Sequence, residues 1–201
     1  NPGWELRSKI GVKHRSYSLS KNDNNSISQT TPIISLRGKM IFDRMSTKTI
    51  LQTLEPEMFF LYIPASNQDA IPIFDSGEND LKYSLFSENK FYGEDRLNDA
   101  KQLTLALSSS IIDTSSGNEM LRATIGQIIY LDDRTVNLTD SETDKSSSSN
   151  IMGLVSARFS DYWKVSGYTE FNPHKGYGEK NQVRLSYKRP YGRQNQIFNT
   201  S

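Results

Sequence analysis

The chain has 201 residues, which fits one domain and leaves room for two at most. Its 24 basic and 23 acidic side chains leave a net charge of +1, which argues against a nucleic-acid binder. Cysteine is absent, so disulfides, thiolate metal sites and thiol nucleophiles are excluded within this stretch. The longest apolar run, Met58 to Ile63, is far short of the about 20 residues a membrane-spanning helix needs. The opening NPGWELRSK has no apolar core of a signal peptide, so the chain reads as cytosolic or as a mature or internal piece of something longer.

Period two runs through the chain. In residues 4–15, Trp4, Leu6, Ile10 and Val12 occupy even positions, while Glu5, Arg7, Lys9, Lys13 and Arg15 occupy odd ones. A strand separates such sets onto two faces, whereas a helix would mix them. Residues 33–44 repeat the pattern, with Ile34, Leu36, Met40 and Phe42 opposed to Arg37, Lys39 and Asp43. Residues 50–64 oppose Leu54, Pro56, Met58, Phe60 and Tyr62 to Thr53, Glu55 and Glu57, and the alternation blurs at Phe59, Leu61 and Ile63. Residues 102–112 and 119–131 continue it, the first with Leu103, Leu105 and Leu107 on the apolar side. The second carries Leu121, Ile125 and Ile129 there, interrupted by Gln127. Shorter strands are predicted over 151–160, 163–171 and 182–189, and a short helix near Asp80 to Glu88.

The connections alternate long and short: 20–32 long, 45–49 short, 65–101 long, 114–118 short around Gly117, 132–150 long, 161–162 short, 172–181 long and 190–193 short. Outer-membrane barrels have this asymmetry. Several strands run well past the mean of about 5–6 residues, toward the about 9–11 that cross a bilayer. The expected fold is therefore all-β: an antiparallel up-and-down meander, an arc of about eight strands from a large transmembrane outer-membrane β-barrel. Residues 1–201 would be one partial barrel domain, incomplete at both ends, with a ninth strand beginning after Arg193. The apolar faces would meet lipid and the polar faces a hydrated lumen.

Little in the chain has the pattern of a catalytic site. Glu55 and Glu57 lie two apart on one face, as paired acid–base carboxylates could, but they read as solvated luminal charges. His14 and His174 have no metal-ligand spacing and no nucleophile elbow accompanies them. The stretch from Gly176 to Lys180 lacks the ending and the context of a phosphate loop and reads as a turn. The sequons at Asn24 and Asn137 count only in a secreted eukaryotic protein. Trp4, Tyr62, Tyr130, Tyr162 and Trp163 fall near strand ends, as girdle residues or through ordinary β-propensity. Arg7, Lys9, Lys13, Arg15, Arg37, Lys39, Arg122 and Arg184 are candidate luminal cations that could steer an anionic solute, with Glu5, Glu55 and Glu57 making the lining mixed. No cofactor is indicated.

A more specific signal is an ordered series: Leu54-Glu55-Pro56 within TLEPEMFFLYIP, Asp75 within IPIFDS, Gly93 with Asp95-Arg96, Gln102-Leu103, Asp113, Gly117, Glu119 and Gly126-Gln127. In this series the chain resembles LptD, the lipopolysaccharide-assembly family of Gram-negative outer membranes. The likeness is specific from about Gly38 to Leu131 and looser elsewhere. Ser110, Met120 and Ile129 stand where the family often has Arg, Arg and Tyr. The resemblance implies a barrel-wall segment that takes part in placing lipopolysaccharide in the outer leaflet and carries no chemistry of its own. Implied partners are lipopolysaccharide, an LptE-like lipoprotein plug in the lumen, and periplasmic bridge proteins reached through an N-terminal domain outside this chain. Luminal side chains, Glu55 and Glu57 among them, would meet the plug or the glycolipid, and the 65–101 connection would cap the outside. The alternatives are a porin-like channel barrel, an outer-membrane enzyme using luminal carboxylates, and a soluble β-sandwich.

Overall fold

The computed structural model describes residues 3–18, 26–138 and 143–188. Eight strands form one antiparallel sheet: β1 (Gly3–Ser18), β2 (Ser26–Met45), β3 (Ile50–Ile63), β6 (Ala100–Asp113), β7 (Asn118–Tyr130), β8 (Ile151–Arg158), β9 (Trp163–Asn172) and β10 (Tyr177–Tyr187). Each pairs with its predecessor in the sheet, so the order is a plain meander. Between β3 and β6 the chain forms a two-stranded ribbon, β4 (Gly77–Glu78) with β5 (Phe91–Tyr92), and one helical turn, α1 (Leu81–Ser84). The expected all-β meander is observed, and α1 falls inside the predicted helical window. The expected ninth strand after Arg193 and the sequon at Asn24 lie outside the described residues.

Turn chemistry sets the hairpins. At 114–117 Gly117 takes φ 71°, while the Asp113 carboxylate accepts hydrogen bonds from Ser115 and Ser116. The 172–181 connection is shorter than expected. β10 begins at Tyr177, directly after a turn closed by Gly176 at φ 76° and by the Asn172 side chain, which accepts from the His174 and Lys175 amides. Of the two glycines there, Gly176 makes the turn and Gly178 sits at a bulge in the β9–β10 register, so neither signals a long loop.

The two faces differ as the alternation requires. The even side of β1–β3 and the odd side of β6–β10 expose Trp4, Ile10, Met40, Leu54, Met58, Leu105, Ile125, Val155 and Val183, Trp4 at 76% and Ile10 at 83%. The opposite face carries the charges, and the long 64–99 segment folds onto it. This segment does not cap a sheet end, as the sequence pattern suggested. Phe59, Leu61 and Ile63 are the physical reason: they are apolar side chains on the polar face, buried with Ile33, Ala100, Leu97 and Phe86. A second cluster joins Leu85 to Ile128, Met152 and Tyr168. Burying a leucine such as Leu85 is worth about 1.5–3 kcal/mol.

Two glycines permit this close packing. A Cβ on Gly126 would lie 2.8 Å from the Leu85 side chain and 3.2 Å from Ala106. Gly93 holds φ 80°, and a Cβ placed there would lie 2.5 Å from the Asp75 carbonyl oxygen, a geometry closed to other residues.

Candidate functional site

The polar face carries two networks and one cavity. At the centre of the first lies Glu55, with 8% of its side chain exposed. Its carboxylate accepts a hydrogen bond from Thr53 Oγ1 at 2.8 Å and pairs with Lys39 Nζ at 2.7 Å and Arg122 Nη2 at 3.0 Å. Arg122 also reaches Glu119 at 3.5 Å, and Ser110 Oγ donates to the same Glu119 oxygen at 3.0 Å. Three strands, β2, β3 and β7, are thus tied through one buried carboxylate, and Ser110 joins β6 to the network through Glu119 and Arg122. Glu57 pairs with Arg37, whose guanidinium also lies 4.8 Å from the Phe86 ring centre. The reading of Glu55 and Glu57 as solvated charges is therefore corrected: both are engaged, and Glu55 is buried.

Pro56 marks the same place in the backbone. In the β2–β3 register Met40 and Ile41 stand opposite Pro56 and Glu55, and both are skipped in the ladder. Proline has no N–H to offer across a sheet, so an interior strand here lacks a bond it would otherwise make. Leu54 points to the apolar face.

The second network fastens the 64–99 segment to β1. Asp95 is buried; its carboxylate accepts from the Tyr17 hydroxyl at 2.9 Å and from the Phe74 and Asp75 amides at 2.7 and 2.8 Å. Burial raises the Asp95 pKa, but these donors outweigh it and hold the carboxyl at about 2. Arg15, also buried, donates to the Asp95 carbonyl at 2.5 Å and to Gln68 at 3.0 Å. Arg96 donates to the Gln68 carbonyl at 2.5 Å. The Asp75 carboxylate accepts from the Glu94 amide at 3.2 Å. Lys9 and Lys13 pair with Glu88 and Glu94, each at 2.7 Å.

The 131–150 segment is secured by residues the sequence pattern passed over. Asp99 accepts from the Thr135 amide and hydroxyl and from the Val136 amide, at 2.7, 2.8 and 3.1 Å. Arg134 lies 3.3 Å from the Tyr130 ring centre and pairs with Asp144 at 2.6 Å. Tyr130 therefore belongs to the polar face rather than to an aromatic girdle. Trp4, Tyr162 and Trp163 do share the short-turn end of the sheet, with Tyr62 near the other. Gln127 donates to the Ser149 carbonyl at 3.0 Å, which accounts for a polar side chain in an apolar row. Among the described residues the His14 and His174 rings hydrogen-bond to hydroxyls, those of Thr30 and Ser148. Among the described residues no group of His, Asp and Glu could hold a metal ion.

Of the eight candidate cations, Arg7 pairs with Glu5, and Lys9, Lys13, Arg15, Arg37, Lys39 and Arg122 have the partners given above. Arg184 alone has none among the described residues. Among the described residues the polar face thus carries mostly paired cations, with loop segments fastened onto it.

The whole chain, residues 1–201, matches the family model described as LptD, LPS transport system D. The chain belongs to the LptD family. It is 38% identical over 194 residues to the LPS-assembly protein LptD of Nitrosococcus oceani, covering 93% of this chain and 26% of that protein. The LptD of Aromatoleum aromaticum is 34% identical, with 93% and 25% covered, and that of Neisseria meningitidis 35% identical, with 94% and 24% covered. The chain thus spans about a quarter of the length of these relatives. Of the ordered series, Glu55 and Glu119 tie strand to strand, Asp95 and Gln127 tie loop to sheet, and Gly93 and Gly126 allow the close packing.

Proposed function

We propose that this LptD-family segment is part of the wall of a bacterial outer-membrane β-barrel that places lipopolysaccharide in the outer leaflet. It supplies structure and a transport surface and no catalysis. The observation that carries this reading is the division of one sheet: a broadly exposed apolar face behind an ion-paired, loop-covered polar face. A soluble sandwich buries its apolar face; a membrane barrel turns it toward lipid and keeps polar groups on the lumen. Family membership supports the cargo, since the relatives are lipopolysaccharide-assembly proteins. In this reading the partial barrel domain is completed by strands outside the chain. An LptE-like lipoprotein would meet the polar face, and bridge proteins would deliver the glycolipid through an N-terminal domain.

The paired cations Arg37 and Lys39 then serve chiefly to organise the wall, and unpaired Arg184 is the candidate to touch cargo. The test is depletion of the full-length protein in its native bacterium, with newly made lipopolysaccharide followed to the cell surface. Arrest of surface arrival while other barrel proteins still assemble is the expected result. Continued arrival would overturn the reading.

A further inference from the structure

One row of residues in register across the polar face has an unusual composition. Arg122 on β7 stands opposite Ser156 on β8, Ser156 opposite Ser166 on β9, and Ser166 opposite Arg184 on β10. Two arginines therefore flank a floor of two small hydroxyl side chains. In the next row Gln182 accepts a hydrogen bond from Lys82 Nζ of α1 at 3.1 Å, and that ammonium lies 5.3 Å from the Tyr168 ring centre. Together these residues line a cavity of about 240 Å³. Three cations border it, and no carboxylate does.

That imbalance is local. Elsewhere on this face the candidate cations are matched by carboxylates or buried acceptors, as Lys39 is by Glu55 at 2.7 Å. Here Arg122 has both terminal nitrogens engaged, by Glu55 on one and by Ser110 and Glu119 on the other, whereas Arg184 has no partner among the described residues. Like charges gathered at the rim of a hollow favour an anion. Guanidinium groups present paired donors that match phosphate oxygens, and serine hydroxyls complete such a site.

We propose that this cavity is an oxyanion site for a phosphate group, with Arg184 as the guanidinium fork, Ser156 and Ser166 as the floor and Lys82 as a charge above, while Arg122 adds positive charge at the rim. Its source is the phosphorylated glycolipid in transit, an assignment that rests on the function proposed above. The 64–99 segment takes part directly, because Lys82 belongs to it.

The test uses the full-length protein in detergent, with barrel folding checked by heat-modifiable gel mobility. Equilibrium binding is measured for lipopolysaccharide, for the same lipopolysaccharide stripped of phosphate, and for inorganic phosphate. Arg184→Gln and Lys82→Gln should each weaken binding of the phosphorylated glycolipid about tenfold, the size of one lost charged hydrogen bond, and leave the stripped form unchanged. Arg184→Lys should fall between. Weakened binding of inorganic phosphate with unchanged glycolipid affinity would keep the anion site and overturn the glycolipid as its source. Unchanged affinity for both in folded variants would overturn the site. Either result would leave the depletion experiment above intact as a separate test of the transport role.

Discussion

Gly126 shows what one absent methyl group allows. Leu85 occupies the space that a Cβ would need, so Gly126→Val must push α1 away from β7 or distort the strand. Overpacking of this kind costs about 1–3 kcal/mol. The expected result is a folded barrel whose 64–99 segment becomes cleavable by an external protease. Glu55 has a different liability. Glu55→Gln removes the shared counter-charge of Lys39 and Arg122, and the two cations, 24% and 34% exposed, are then only partly compensated by water. A cost of about 1–3 kcal/mol is expected, read as a lower urea midpoint of the full-length barrel. Asp95 sets a pH dependence. Its folded-state pKa of about 2 lies below the ordinary 3.8, so its stabilising contribution is complete above about pH 4 and is lost as the pH falls toward 2. Asp144, held at about 2 by Arg134 and Ser146 against the upward pull of burial, acts in the same direction. Pepsin should cut within 64–99 only toward the lower end of that window, and Asp95→Asn should be cut already at pH 4.

Strand limits were largely legible in the sequence because alternation is a two-fold signal that survives isolated exceptions. The exceptions themselves were the informative residues. Phe59, Leu61 and Ile63 blurred the third strand, and they blur it because the 64–99 segment buries them from the polar side. Period counting cannot say what covers an apolar residue on a polar face; that depends on contacts across tens of residues, such as Arg15 with Asp95. Glu55 was visible as a charged residue but not as a buried one, since its partners come from β2 and β7. The Arg122–Ser156–Ser166–Arg184 row was hidden for the same reason, as it exists only once four strands are in register. Pro56 is the test at this scale. Pro56→Val restores a donor opposite Met40 and should slow amide exchange around the β2–β3 seam, with a gain of about 0.5–1.5 kcal/mol.

For the whole molecule the decisive property is which face meets which medium. A charge placed on the exposed apolar face near mid-strand, Leu105→Arg, should impair assembly of the full-length barrel by about 2–4 kcal/mol. Asp43→Arg, at an exposed position of the polar face, should cost far less. Heat-modifiable mobility of the two variants measures the contrast, and equal loss would show that the apolar face is not turned to lipid. The near-zero net charge of the chain belongs to this picture as well. It arises from nearly equal numbers of opposite charges rather than from a scarcity of them, with 24 basic and 23 acidic side chains in all.

The 64–99 segment holds β1 through Lys9 and Arg15 and holds β10 through Lys180, which pairs with Asp80 at 2.5 Å. It therefore acts as a brace from one end of the eight-strand row to the other. Such a brace cannot form until the strands it joins are in place, because its anchors lie up to 100 residues apart in the chain. Docking is accordingly the last step in maturing this part of the wall. Until then Leu85 and Phe86 stay uncovered, and the nascent barrel carries a sticky, protease-sensitive flap that disappears on completion.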